Sequence, residues 1–131
     1  MSSTKNSAQY KFSLYYPSSL KVTEYSEGHG ASDITFEALD YSQGFQVYAM
    51  PYDERQGRVK RFKLDEPSGV MHNATATSVG GAQATSFVGY NSTMGTTSEV
   101  WFIHNGILYE VATYKELDAW LQPITQSWRF I

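Results

Sequence analysis

Apolar and polar residues alternate with a period of two through most of the chain, which predicts β-strands. In YKFSLYYP, every second residue from Tyr10 to Tyr16 is aromatic or aliphatic, and Pro17 ends the pattern. Such alternation is typical of a strand with one buried face. Similar segments, separated by turn residues, predict further strands over 20–25, 33–39, 45–50, 73–79 and 82–90.

The segment EVWFIHNGILYEVATY, residues 99–114, contains the strongest turn signal in the chain. Asn105-Gly106 is typical of a type I′ hairpin turn, because both of its central residues need positive φ. A two-residue turn at this point sets the pairing of the flanking strands and predicts that Trp101 lies opposite Glu110. The hairpin then has two different faces, since successive side chains alternate across a strand.

One face of this hairpin is uncharged along the strands, and the other is both acidic and aromatic. We take the second face as the candidate ligand-binding site. Two interpretations remain open: the carboxylates lie on a solvated side of the sheet, or they line a groove that a loop or a partner covers. The candidate residues are Glu99, Trp101, Glu110 and Tyr114.

The last segment, residues 115–131, has the apolar spacing of an amphipathic helix. We expect this C-terminal helix to pack on the uncharged face of the hairpin. Pro123 lies inside the segment and predicts a kink or a division into two short helices. The predicted apolar stripe consists of Leu117, Trp120, Leu121, Ile124, Trp128 and Ile131.

Two segments carry little periodicity. Residues 1–9 are small and polar, and we expect a flexible lead before a single domain over 10–131. Residues 52–69 are rich in charge and contain Gly57, so the sequence predicts either a short helix or an irregular crossover.

Composition excludes several classes of protein. The chain has 131 residues, enough for one domain with a real core. Its net charge of −3 argues against nucleic-acid binding. The absence of cysteine excludes disulfides and thiolate metal sites. No apolar run reaches the roughly 18–20 residues that span a bilayer, so no transmembrane segment is predicted.

Catalytic and cofactor motifs are also missing. His29, His72 and His104 lie in three different contexts, which predicts no metal site. The many serines stand in no GxSxG elbow. A hydrolase using Glu99 and Glu110 is the least favoured hypothesis. We therefore predict no enzyme, no catalytic residue, no metal and no cofactor.

The order of these elements resembles the PsbP/Mog1-like family, named for a photosystem II lumenal subunit and a nuclear-transport factor. The resemblance covers residues 10–131: an opening strand ending in proline, a meander, a charged crossover, the NG hairpin WFIHNGILYEVATY and a final segment ending SWRF. It implies an α+β fold, an α/β/α sandwich around a central antiparallel sheet of about six to eight strands, with a C-terminal helix on one face.

The same resemblance implies a non-catalytic accessory or binding role. We expect a monomer that recognises a protein or peptide partner, exported or lipid-anchored in a bacterium rather than cytoplasmic. The alternative function is binding of a small molecule or polysaccharide through the aromatic-acidic face. A small-molecule site would require a concave pocket walled by Trp101 and Tyr114, whereas a protein site would be a flatter exposed apolar patch.

Overall fold

Strands make up most of the described part of the chain, which is residues 2–7, 12–28, 30–52 and 72–131 of a computed structural model. The helical part is a 3-10 turn, Lys115–Leu117, followed by the α-helix α1, Asp118–Gln126. The strands are β1 Ser2–Ser7, β2 Phe12–Pro17, β3 Lys21–Gly28, β4 Ala31–Glu37, β5 Gly44–Pro51, β6 His72–Val79, β7 Ala82–Asn91, β8 Gly95–His104, β9 Ile107–Tyr114 and β10 Arg129–Phe130.

The central sheet has seven antiparallel strands in the order β3-β4-β5-β9-β8-β7-β6. Two meanders, β3 to β5 and β6 to β9, each pair strands that follow one another along the chain. The long-range pairing of β5 with β9 joins the two meanders into one sheet. The predicted antiparallel sheet and its strand number are confirmed, and each alternating segment of the sequence overlaps a strand of this sheet or β2.

A smaller sheet joins the two ends of the described chain, in the order β1-β2-β10. Residues 2–7 of the polar lead pair along β2, from Ser2 opposite Pro17 to Ser7 opposite Phe12. Strand pairing is made by backbone groups, so a Ser- and Thr-rich segment without apolar side chains can still form it.

The C-terminal helix is shorter than the apolar spacing predicts. It ends at Gln126, so Trp128 and Ile131 do not belong to a helical stripe, and Pro123 lies inside one helix of nine residues. Ser127 ends it: its Oγ donates to the Ile124 carbonyl at 2.6 Å and accepts from the Tyr15 N–H at 2.8 Å. The chain then pairs with β2 as β10. The long-range contact with β2 therefore overrides the local helical pattern.

The main core lies between α1, β2 and the face of the central sheet that we call the helix side. Trp128 is fully buried there and stacks on Phe12 with ring centroids 4.2 Å apart. Phe102 and Tyr109, paired across β8 and β9, pack edge-on against the same tryptophan. Leu121 and Ile124 of α1 belong to the same core cluster, so the helix packs on the uncharged face of the hairpin as predicted, together with β2 and Trp128.

The opposite face of the sheet, the far side, holds a second and smaller apolar cluster: Tyr52, Phe87, Trp101 and Leu108. Most of the segment 52–69, predicted as a short helix or crossover, lies outside the described residues. Within the described ranges, no helix is long and apolar enough to cross a membrane.

A buried carboxylate cluster and an exposed tyrosine cleft

The Asn105-Gly106 turn has the predicted backbone, with φ of 50° and 76°. Trp101 lies opposite Glu110, and the rest of the predicted register is also confirmed. The candidate residues therefore do share the far side of the sheet. Their exposure and contacts, however, divide them into two separate groups.

Glu99 is buried, with 8% of its surface exposed. The Thr97 hydroxyl donates to Oε2 at 2.6 Å, and the Trp101 indole N–H donates to Oε1 at 3.0 Å. A buried carboxylate is unfavourable unless hydrogen bonds replace its lost hydration. Both Glu99 oxygens accept such bonds from its own strand, so this carboxylate ties the far-side residues of β8 together.

Glu110 is the second buried carboxylate, at 9% exposure, and Trp101 opposite it is 1% exposed. On its other side Glu110 lies opposite Tyr48 of β5. The interpretation of these glutamates as solvated is therefore wrong. It also follows that Trp101 cannot form the wall of an open pocket, because its side chain is not accessible.

A third acidic residue, Asp33 of β4, lies opposite Tyr48 of β5 and so continues the same row across the sheet. The Gln46 side-chain amide donates to its Oδ2 at 2.6 Å. Partial burial raises the pKa of Asp33 above its usual value; the bond from Gln46 opposes this and the Glu27 carboxylate adds to it. Sequence reasoning missed this neighbour, because Asp33 belongs to a hairpin far from residues 99–114.

Tyr114 belongs to a different place, although it shares the face. It is 41% exposed, lies opposite Thr97 and borders a shallow cleft of about 190 Å³ at the end of the sheet where β4, β5 and β9 meet their turns. We call this the tyrosine cleft. Its lining residues are Thr35, Phe36, Glu37, Tyr41, Gln43, Gly44, Phe45, Gln46, Met94, Ala112 and Tyr114.

The turn between β4 and β5 presents the other aromatic wall of this cleft. Tyr41 is 75% exposed and has φ of 60°, a left-handed conformation that is uncommon for a bulky residue. The Tyr41 N–H donates to the Ala38 carbonyl at 3.0 Å. The Ser42 N–H donates to Asp40 Oδ1 at 3.0 Å, and the Ser42 hydroxyl at 2.7 Å.

These bonds make residues 38–43 an ordered turn rather than a loose loop. The bonds from Ser42, the side-chain one first, hold the pKa of Asp40 below its usual value. Leu39, in the same turn, is 83% exposed. Sequence reasoning missed Leu39 and Tyr41; the only available signal was Asp40-x-Ser42, a pattern in which an aspartate side chain accepts from the backbone two residues ahead.

A second cleft, of about 320 Å³, lies on the helix side between α1 and the strands β6 to β8. We call it the helix cleft. Ser98 donates a short hydrogen bond to Asp118 Oδ1, and Gln122 donates to Oδ2 at 3.2 Å. The lining is mostly hydroxyl and amide groups: Thr77, Ser78, Val79, Ser86, Ser98, Glu99, Val100, Asp118, Leu121, Gln122, Thr125 and Gln126.

Comparison with known proteins bears on the fold. No family model and no curated protein matches this chain. Among solved structures, the chain is similar to the solution structure of cyanobacterial PsbP (CyanoP) from Synechocystis sp. PCC 6803. The two superpose with a TM-score of 0.69 at 11% identity, over 99% of this chain and 92% of that one. The chain therefore has the PsbP-like fold.

Proposed function

We propose that this domain is a non-catalytic accessory module that recognises a protein or peptide partner through the tyrosine cleft. One observation carries the proposal: Leu39 and Tyr41 are exposed on the same hydrogen-bonded turn, and Tyr41 lines the cleft together with Tyr114, which is also exposed. Exposed apolar side chains that cluster, rather than scatter singly, are typical of interaction surfaces. The accessory role implied by the PsbP-like resemblance points in the same direction.

The backbone of Tyr41 supports the proposal independently. A left-handed conformation costs about 1–2 kcal/mol for an L-residue other than glycine. Glycine, asparagine or aspartate would adopt this position with less strain, yet the sequence has a tyrosine whose ring is mostly in solvent. Strain of this kind is common where a side chain is held for binding. An ordered turn also loses less entropy on association than a flexible loop.

The cleft indicates the chemistry of the partner. Its described lining includes the acidic residue Glu37 and no lysine or arginine. Tyrosine ring faces and a carboxylate together favour a cationic side chain. At about 190 Å³ the cleft is smaller than the roughly 300–1,000 Å³ of sites that enclose a drug-sized molecule. We therefore propose that it takes a single lysine or arginine side chain of the partner, flanked by apolar residues that contact Leu39 and Tyr41.

The three buried candidates have a supporting role in this proposal. Thr97, the cross-strand neighbour of Tyr114, is held by Glu99, which also binds Trp101. Glu99 therefore acts as a positioning residue behind Tyr114 and not as a contact for the partner. Following the family resemblance, we place this module outside the cytoplasm. We do not favour the alternative of a small-molecule or polysaccharide site on the aromatic-acidic face, because Glu99, Trp101 and Glu110 are buried.

The proposal can be tested by titrating isotope-labelled protein with short capped peptides and following backbone amide shifts by NMR. The first peptide is Ala-Leu-Lys-Leu-Ala, and its control carries glutamate in place of the central lysine. We expect the lysine peptide to shift the amides of residues 38–43 and of Tyr114. The glutamate peptide should bind more weakly by on the order of tenfold, because it meets Glu37 with a like charge.

Two variants sharpen this test. Tyr41→Ala should abolish the shifts, whereas Tyr15→Ala should leave them unchanged, since Tyr15 is another largely exposed tyrosine but lies on the smaller sheet. The proposal is overturned if lysine and glutamate peptides act alike, or if Tyr41→Ala binds as the parent does.

A further inference from the structure

The two edge strands of the central sheet differ in charge. The edges are β3 and β6, and neither pairs outward with another described strand. Strand β3 carries Lys21, Glu24 and Glu27, and its pairing is interrupted between Ser26 and Gly28. Charges and bulges of this kind keep exposed edges from pairing with other chains.

Strand β6 has a similar irregularity, between His72 and Thr75, but it lacks the charges. Its segment from Asn73 to Val79 contains no charged residue and no proline. Residues 73–78 are all exposed. Threonine and valine favour extended structure, and the outer backbone groups of this edge pair with no other described strand, so the segment is suited to pairing. From this contrast we infer that β6 is an association edge, and that its partner is the β6 strand of a second copy of this chain.

The register of β6 supports a two-fold pairing. An irregularity separates His72 from Thr75, and regular pairing with β7 then runs from Thr75 to Val79. Thr77 is the centre of this regular stretch. If two β6 strands pair antiparallel about Thr77, each Thr77 lies opposite its copy, Thr75 lies opposite Val79, and Ala76 opposite Ser78. All of these pairs are small or β-branched, and threonine pairs stabilise adjacent strands.

The absence of charge on this segment of β6 makes a second copy of the chain a suitable binding partner. Each chain carries a net charge of −3, so two copies repel each other overall. The uncharged segment of β6 is a place where two copies can approach without that repulsion. Antiparallel pairing is isologous, meaning that both copies use the same surface, and it closes at two chains instead of growing into a fibre.

The pairing would also complete the helix cleft. The two-fold axis that relates the two paired β6 strands runs perpendicular to the sheet, so both α1 helices lie on the same side of the joined sheet. Thr77 and Val79 of β6 line the helix cleft, and Gln122 and Gln126 of α1 line its other side. A partner strand beside Thr77 would form a wall of each cleft. The inference thus goes beyond the proposed function, since the tyrosine cleft lies on the other face.

The inference is tested by sedimentation velocity of the intact chain over a wide range of concentration. A single strand pair is a small interface, so in place of the monomer expected from the family resemblance we expect a weak dimer that populates between about 10 μM and 1 mM. Thr77→Lys and Thr77→Glu each place two like charges on the two-fold axis. Each variant should remain monomeric, and an equimolar mixture of the two should associate again.

Controls separate this result from misfolding and from the proposed function. Ser26→Lys puts the same charge on the other edge strand and should leave association unchanged. Melting temperatures close to that of the parent would show that the Thr77 variants fold. A parent that stays monomeric to about 1 mM overturns the inference, as does a Thr77→Lys variant that associates like the parent. Peptide binding at the tyrosine cleft is independent of either outcome.

Discussion

The two fully buried tryptophans provide a matched pair for measuring what the Glu99 contact contributes. Trp101 and Trp128 are both almost completely inaccessible. The indole N–H of Trp101 donates to Glu99, whereas that of Trp128 has no hydrogen-bond partner among the described residues. Replacing either residue with phenylalanine removes the same atoms and keeps an aromatic ring. The difference in the free energy of unfolding between the two variants therefore measures chiefly the contribution of the indole N–H group.

The expected magnitudes follow from that difference. Trp101→Phe removes a hydrogen bond to a buried carboxylate, which is worth about 1.5–3 kcal/mol. Trp128→Phe instead removes a buried N–H whose desolvation is uncompensated, and this offsets part of the lost packing. We expect Trp101→Phe to lower the free energy of unfolding by about 2–4 kcal/mol more than Trp128→Phe.

Urea unfolding followed by far-UV circular dichroism measures both variants against the parent. The double variant Trp101→Phe with Glu99→Leu completes a thermodynamic cycle, because contacting residues show coupling that distant ones do not. Leucine has no acceptor for the indole N–H, so the extra loss caused by Trp101→Phe should shrink in the Glu99→Leu background. Equal losses for the two phenylalanine variants would refute the argument, and so would a cycle with no coupling, since either would mean that the Trp101–Glu99 bond contributes nothing to stability.

Three further predictions concern the backbone and pH. Gly106→Val should lower the free energy of unfolding by about 1–3 kcal/mol. The cause is backbone strain at φ of 76°, because the space around an added Cβ is open. Asparagine tolerates this backbone, so Gly106→Asn should lower the free energy of unfolding far less in the same urea titration, and equal losses would contradict this explanation. Tyr41→Gly should leave stability unchanged or raise it by up to about 1 kcal/mol, whereas Tyr41→Val should destabilise, as read from thermal unfolding; a stable Tyr41→Val protein would argue against strain at this turn. Because the pKa of Asp33 is raised in the fold, the folded protein binds this proton more tightly than the unfolded chain. The free energy of unfolding should therefore fall as pH rises from the ordinary carboxyl pKa through the raised one. Asp33→Asn should gain stability relative to the parent across that range, in urea titrations from about pH 3 to 7; a constant difference would mean that Asp33 does not contribute.

The hairpin register could be predicted from sequence because its causes are local. Asn105 and Gly106 readily adopt the positive φ that this turn requires, and alternation then assigns every side chain of β8 and β9 to a face. The same reasoning predicted the antiparallel sheet and the face that the helix covers.

Local pattern could not predict where the helix ends. Residues 115–131 keep a helical spacing, but Ser127 binds Tyr15 and the chain then pairs with β2, over a hundred residues earlier. Apolar periodicity describes which residues avoid water. It does not describe which distant backbone groups are available to pair.

Exposure of the candidate site was likewise decided only by tertiary structure. Alternation placed Glu99, Trp101, Glu110 and Tyr114 on one face, yet it carries no information about what lies above each of them. The fold buries the first three, and Thr97 and Trp101 provide Glu99 with hydrogen bonds that make its burial tolerable. The fold also brings Tyr41, from another hairpin, beside Tyr114. A face is a property of one strand, whereas accessibility depends on every other segment that packs nearby.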